Sequence, residues 1–500
     1  MIVPAPVRYT ESGGPPYELS PRTRIVLDDP ALHTTASLLA ERLRVSTGFP
    51  IPVVTQPVST RLAGTDDVEL MIGELTGPAE AYLLTAGPRR VTITGASAAG
   101  VLRGIQTLLQ MLPPAVFAGS AVQPAPRWTV PSCRIADHPR FAHRGLMLDP
   151  ARSFLGVPEV KRLVDALVLV KGNRLHLHLT DDQGWRIEIR SWPNLTAHGG
   201  TGAVAGCPSG FYTQDDYAEI VRYAADRHVL VVPEIDVPGH TTAAVSSYPE
   251  LHGGGPPIPL MTTDGVGTVA LDVEREVTYA FLDDVIREVA ALTPGPYLHI
   301  GGDEVVGMPE EQYAAFLRRA RRIVASYGKT MIGWTPVPKA GLDAGVVHQY
   351  WADRAGETTQ EWFAGGRPVL LSPTFRTYLD YGFAPGYGIK YTDRTTRAAY
   401  EWDPADVIDE TTGRSLHREF GLTEAQTQGV EAAIWGETMR RGGPDVETAV
   451  WPRLAAIMEK AWSPAGDFDD FASRMAALGA RLRAMGIRFW PDPEIAWDLP

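Results

Sequence analysis

From residue 143 to residue 437 the chain alternates short apolar runs with amphipathic stretches, and no other feature restricts its fold as strongly. The runs are HRGLMLD, RLHLHLTDD, VLVVPEID, YLHIGGDE, TMIGW, VVHQYW, PVLLSP and EAAIWGE, eight in all. Between them lie the helical patterns PEVKRLVDALVLVKG, QDDYAEIVRYAADRH, EVTYAFLDDVIREVAAL and EEQYAAFLRRARRIVASYG, and ETAVWPRLAAIMEKAW follows the last run. Near-continuous apolar strands joined by amphipathic helices predict a parallel sheet whose outer face is covered. Eight such units over roughly 330 residues predict an α/β fold of the closed (β/α)8 TIM-barrel type rather than an open doubly wound sheet.

The residues before this alternation read differently. Strand-like RIVLDD, VELMIG and RRVTITG alternate with helical ALHTTASLLAERLRVSTG and SAAGVLRGIQTLLQMLP, which predicts a smaller α+β domain. The Pro-rich stretch QPAPRWTVPSCRIADHPRF, 123 to 141, reads as a linker, because each proline removes an amide donor and resists helix. The expected division is therefore a non-catalytic domain over 1–138 and a catalytic barrel over 139–500. The region 352 to 428 is rich in Gly and Tyr and predicts long loops. No G-x-G-x-x-G follows the first strand and no Walker loop is present, so nucleotide binding has no support.

Composition narrows the partners. A net charge of -13 disfavours nucleic acid, since no basic stripe is present to displace counterions from phosphates. No apolar run reaches the roughly 18 to 20 residues that cross a bilayer, which predicts no membrane span. The start MIVPAPVRYTESGGPPYELS lacks a basic segment followed by an apolar one, which predicts a cytoplasmic protein, or a secreted one whose signal is absent from this chain. Two cysteines, Cys133 and Cys207, exclude a disulfide framework and a Cys-rich zinc site.

In such a barrel the active site is built at the C-terminal strand ends. There the sequence delivers Asp149 and Arg152, then Asp181 and Asp182, then Glu234, Asp236 and His240, then Asp303 and Glu304. Trp334, Trp351, Tyr378 with Asp380, and Trp435 with Glu437 follow on the later units. Carboxylates accept sugar hydroxyls and indole faces pack on the C–H faces of a pyranose, so the ring of residues predicts a carbohydrate pocket. A metal site is the competing reading. No H-E-x-x-H or tight acidic loop supports it, so the expectation is no metal and no cofactor.

Asp303 and Glu304 are adjacent after an apolar strand and two glycines, and adjacent like charges near a dry wall push one carboxyl towards holding its proton. A helix N-terminus would also accept such a pair. Two carboxyls normally flank a glycosidic bond, but sequence neighbours diverge and do not easily take opposite faces of one anomeric carbon. That suggests Glu304 as the acid and leaves the nucleophile open. A substrate's own 2-acetamido carbonyl can fill that role, forming an oxazolinium ion.

LHIGGDEV, with HRGLMLDPAR, NRLHLHLTDDQGWR, PEIDVPGHT and VEAAIWGET in this order, resembles the glycoside hydrolase family 20 β-N-acetylhexosaminidases. The preceding domain is similar to that family's non-catalytic domain through GVLRGIQTLLQML. The resemblance implies an exo-acting, retaining, substrate-assisted hydrolase of terminal β-linked N-acetylglucosamine, with N-acetylgalactosamine as a further candidate. It implies Glu304 as acid and base, Asp303 as the carboxylate that orients the acetamido group, and Tyr378 as the hydroxyl that steers its oxygen. Trp334, Trp351 and Trp435 would wall the pocket, Arg152, Asp380 and Glu437 would grip hydroxyls, and Asp181 with His240 would stand behind the acid. Two departures touch the leaving-group side: Arg152-Ser153-Phe154 where the family often has Arg-His-aromatic, and Trp334-Thr335-Pro336-Val337 where an acidic residue often follows. A disaccharide-releasing relative and a non-catalytic sugar-binding relative remain alternatives. Gluco or galacto preference, natural polymer and oligomeric state are not readable.

Overall fold

The structure is a computed structural model and describes residues 1–56, 66–267, 269–343, 345–352, 356–380, 382, 395–409, 412–463 and 466–497. Eight parallel strands close into a barrel in sequence order. They are β1 (His143–Leu148), β2 (Arg174–His178), β3 (Leu230–Glu234), β4 (Tyr297–His299), β5 (Thr330–Trp334), β6 (Val346–Tyr350), β7 (Val369–Leu371) and β8 (Thr427–Ile434). All eight expected strands are present, and β8 closes the ring by pairing with β1 from His143 opposite Gly429 to Leu148 opposite Ile434.

Helices cover the outside because their apolar residues recur on one face. Val157–Leu169 buries Val160, Leu163, Val164 and Leu167, and Gln214–Ala225 begins in a capping box in which Thr213 and Asp216 satisfy each other's amides. The last pattern is two helices rather than one, Gly443–Val450 and Arg453–Trp462. Pro452 separates them, since it lacks the amide that would continue the ladder. Trp451 and Trp462 are buried in packing. No helix among the described residues is long and apolar enough to cross a membrane.

Before the barrel lies a seven-stranded mixed sheet. Its spatial order is Arg8–Glu11, Cys133–Asp137, Tyr82–Gly87, Arg90–Gly95, Asp67–Ile72, Arg24–Leu27 and Val53–Thr55. The helices His33–Thr47 and Ala98–Met111 pack on it. The linker expected over 123–141 is corrected here. Cys133–Asp137 is an interior strand, antiparallel to both of its neighbours. Pro124, Pro126, Pro131 and Pro139 flank this strand without entering it, so its amides stay free for the sheet.

This first unit is fastened to the N-terminal ends of the barrel strands. Asp137 accepts from Lys171 Nζ at 2.8 Å, Tyr82 OH at 2.6 Å and Trp462 Nε1 at 3.0 Å. Glu80 takes Arg103 at 2.7 Å, Arg144 at 2.5 Å and the Asn173 amide at 2.7 Å. The strand ends that carry the acidic residues lie at the opposite end of the barrel. Removing one partner of a buried pair strands the other. Lys171→Met is therefore expected to lower unfolding free energy by about 3 to 5 kcal/mol, read from chemical denaturation of the whole chain.

Candidate active site

β4 ends at His299, and the chain then turns through Gly301 and Gly302, both at positive φ, into Asp303 and Glu304. A Cβ on Gly301 would lie 1.7 Å from Asp236 Oδ1, so only glycine lets the turn sit on that carboxyl. Glu304 has φ +49°, and the next helix starts only at Glu310. The acidic pair therefore does not cap a helix.

His240, itself at φ +54°, stands beside this pair. Its Nε2 lies 4.0 Å from Asp303 Oδ2 and 3.9 Å from Glu304 Oε2, and its Nδ1 bonds Asp181 Oδ1 at 3.2 Å. Asp181 Oδ2 takes Arg152 at 2.6 Å and His178 Nε2 at 2.9 Å. The neighbouring aspartate does something else: Asp182 accepts from the Thr242 amide at 3.0 Å and the Gly267 amide at 2.9 Å, tying down two loops. Of the two aspartates that the sequence cannot separate, Asp181 is the one at the site.

Arg152 is buried and pairs with Asp149 at 3.2 Å as well as with Asp181, while its Nε donates to Gln183 Oε1 at 3.0 Å. Its guanidinium carbon lies 5.3 Å from the Trp435 ring centre, within cation–π range. Gln183 in turn donates to the carbonyls of Thr263 and Gly265, each at 2.9 Å. The aromatic wall is continuous. Trp351 stacks on Tyr378 at 6.5 Å and 13°, Tyr378 meets Trp435 at 5.8 Å, and Trp435 meets Trp334 at 5.9 Å. Trp351 and Trp435 are half-buried, whereas Trp334 is 1% exposed and donates its indole N–H to Glu234 at 2.7 Å. Trp334 thus underlies the wall that the other two present.

Several buried polar atoms here have no hydrogen-bond partner among the described residues: Asp303 Oδ1, Asp380 Oδ1, Glu437 Oε2, Trp435 Nε1 and His240 Nε2. Such atoms are costly in a protein interior and mark where a polar ligand is welcome. Burial, opposed by His240 and reinforced by Glu304, pushes the Asp303 carboxyl up to about 6. Burial, opposed by Arg152 and reinforced by Asp149, pushes Glu437 up to about 7. Asp380 is raised by burial and then by Glu437. Burial works against the Asp181 anion, but Arg152 and His240 outweigh it and hold that carboxyl well below its usual range. His240 shows the converse: burial opposes its charge, and Asp181 raises the proton affinity of the imidazole well above its ordinary value.

Asp236, His240 and Asp303 each bring one donor atom within 4.8 Å of the others, the spacing of a small cation site. His240 is already engaged with Asp181 through Nδ1 and presents only Nε2 to the other two groups. Beneath it Glu234, already expected at the end of β3, is joined in the barrel interior by residues that sequence reading left out of the site: His143, His176, His178 and Glu431. Glu234 receives His178 Nδ1 at 2.6 Å and faces His176 Nε2 at 3.0 Å, and Glu431 receives His176 at 2.8 Å and His143 at 2.8 Å. The signal was present in RLHLHL, where a histidine on every second residue of an apolar strand aims one polar face inward.

Since Asp181 sustains the charge on His240, Asp181→Asn is expected to lower the proton affinity of His240 and change the pH profile of turnover. Asp182→Asn is expected to act mainly on thermal stability through the Thr242 and Gly267 loops. The two effects are separated by measuring unfolding temperature and rate against pH for both variants.

The chain matches "Glycosyl hydrolase family 20, catalytic domain" over residues 141–465 and "Glycosyl hydrolase family 20, domain 2" over residues 1–138. It is 37% identical to a β-N-acetylhexosaminidase of Cellulomonas fimi, across 100% of this chain and 97% of that protein. Among solved structures it is similar to the family 20 β-N-acetylhexosaminidase of Streptomyces coelicolor A3(2), with 41% identity, a TM-score of 0.90 and coverage of 99% and 98% of the two chains. It is equally similar to a mutant Streptomyces plicatus β-hexosaminidase in complex with its product GlcNAc, at 42% identity, TM-score 0.90 and coverage of 99% and 97%. With both family regions present and the whole length shared with these relatives, the chain belongs to glycosyl hydrolase family 20 and is a glycoside hydrolase.

Proposed function

We propose that the protein is an exo-acting β-N-acetylhexosaminidase that releases terminal β-linked N-acetylglucosamine with retention, the acetamido group of the substrate serving as nucleophile. N-acetylgalactosamine is a second candidate sugar. The observation that carries this reading is the position of one imidazole edge, His240 Nε2, within 4.0 Å of both Asp303 and Glu304. Both carboxylates belong to adjacent residues of one turn and face one ring nitrogen, and we read them as serving one side of a bound sugar rather than as an opposed acid and nucleophile. The product named with the Streptomyces plicatus relative, GlcNAc, supports the sugar.

In this reading Glu304 gives a proton to the glycosidic oxygen while the acetamido carbonyl oxygen bonds to C1 and the leaving sugar departs. Asp303 accepts the acetamido N–H and balances the positive charge that develops on the ring nitrogen of the oxazolinium. Tyr378 donates to the acetamido oxygen. Water then attacks C1 with Glu304 as base, which restores the acetamide and the starting configuration. Trp351 and Trp435 face the sugar over Trp334, Arg152, Asp380 and Glu437 hold its hydroxyls, and the Asp181–His240 pair stands behind Glu304. We also read residues 1–138 as a non-catalytic domain and 139–500 as the catalytic unit, supported by the sheet that ends at Asp137 and the barrel that begins at His143.

The test compares 4-nitrophenyl N-acetyl-β-glucosaminide with 4-nitrophenyl β-glucoside. The acetamido substrate is expected to be turned over and the plain glucoside not; comparable rates would mean a nucleophile from the protein and would end this role for Asp303. Glu304→Gln is expected to lose about a hundredfold to ten-thousandfold in kcat. Asp303 works as an anion and burial raises its carboxyl to about 6 in the free protein, so kcat/KM is expected to fall as the pH drops through about 6. Release of monosaccharide from chitin oligomers before any internal cut checks exo action.

A further inference from the structure

Asp236 follows β3, is 2% exposed, and lies directly beneath the turn that carries the acidic pair. Its Oδ1 accepts the Gly302 amide at 3.1 Å, and its own amide donates to Thr180 Oγ1 at 3.0 Å. The missing side chain of Gly301 is what admits the carboxyl, and Tyr313 holds the far side of the turn by donating to the Gly302 carbonyl at 2.6 Å. One oxygen of Asp236, one of Asp303 and a ring nitrogen of His240 lie within 4.8 Å of one another.

The charges around this pair do not balance two anions. Glu234 on β3, Asp181 at the end of β2 and Glu304 on the turn are further acids; the bases are His178 on β2, His240, and Arg152, whose guanidinium lies on Asp181. His178 is engaged with Glu234 and Asp181, and His240 bonds Asp181. One imidazolium already committed to a third carboxylate cannot neutralise both Asp236 and Asp303 in a dry pocket, so the pair retains a proton. Asp236 is the more deeply buried of the two, and burial, opposed by His240 and reinforced by Asp303, raises its carboxyl well above the ordinary range.

We propose that Asp236 is a positioning residue of the reaction: as a neutral carboxylic acid it fastens the Gly301-Gly302 turn and leaves Asp303 as the single anion of the pair. The inference rests on the role given to Asp303 above. The acetamido nitrogen then meets one negative charge held in one orientation, rather than a charge shared between two oxygens at different depths.

Rescue by a neutral isostere tests this on the full chain with 4-nitrophenyl N-acetyl-β-glucosaminide. Asp236→Ala is expected to lower kcat about tenfold to a hundredfold with a smaller change in KM, because the turn loses its acceptor. Asp236→Asn keeps an uncharged acceptor for Gly302 and is expected to restore most of that loss, with the acid limb of kcat/KM where the wild type has it. If Asp236→Asn is as impaired as Asp236→Ala, or its acid limb moves down by about one pH unit or more, Asp236 works as an anion and the inference fails. An unimpaired Asp236→Ala would overturn the positioning role equally. Unfolding temperatures are recorded throughout, and Asp236→Ser, another uncharged acceptor, replaces Asn should that variant fold poorly. A wild type that ignores the acetamido group would instead remove the functional reading, and this inference with it, before any variant is compared.

Discussion

Glu234 is the buried carboxylate on which the pocket floor depends. It accepts from His178 and Trp334 and lies 3.0 Å from His176 and 2.9 Å from His299, so residues of three other strands, β2, β4 and β5, converge on one side chain. From it an alternating column runs both ways: through His176 to Glu431 and His143, and through His178 to Asp181 and His240. Buried charges persist only when paired, and here Glu431 and Asp181, with Glu234 between them, are held ionised by imidazoles and Arg152. Because each member between the two end histidines holds two others, the rings are oriented before any substrate arrives. Orientation at this depth is what passes to His240 and, beyond it, to the acidic pair.

The barrel makes room for that column by omission. A Cβ on Gly145 would meet Glu431 Oε2 at 2.4 Å, so β1 carries no side chain where Glu431 and His143 pair. At the other end the backbone is held in uncommon conformations: Glu304 and His240 both sit at positive φ. Non-glycine residues stay there only when their surroundings fix them, and such positions gather at functional sites. Here the fixing contacts are the Gly302 amide on Asp236, Tyr313 on the Gly302 carbonyl, and Asp181 on His240. The first unit is docked at the strand starts through Asp137 and Glu80, at the other end of the barrel from the acidic pair.

The barrel was legible because a parallel sheet buried on both faces writes itself as short apolar runs, and even β4, only three residues long, stood out through YLHI. The acidic pair was legible because two glycines and a strand precede it. Cys133–Asp137 was hidden by the prolines on either side of it. The interior column was hidden for a different reason: histidines spaced every second residue in RLHLHL look like ordinary members of an apolar strand until the barrel closes and brings Glu234 and Glu431 to them. Asp181 and Asp182 could be told apart only by which loop each one holds. Trp334 has the composition of a wall residue, yet its indole N–H is drawn under the wall by Glu234. Among the loops expected over 352 to 428, residues 353–355, 381, 383–394 and 410–411 lie outside the described residues.

The central claim is that hydrolysis proceeds by two displacements at C1, the first made without an opposed water, with Asp303 and Glu304 acting from one side. Two displacements at C1 preserve configuration, whereas direct attack by water inverts it. The direct measurement follows the anomeric proton by NMR during the first minutes of hydrolysis of 4-nitrophenyl N-acetyl-β-glucosaminide. The account expects β-N-acetylglucosamine to form first and the α-anomer to appear only through mutarotation. Initial formation of the α-anomer would contradict it.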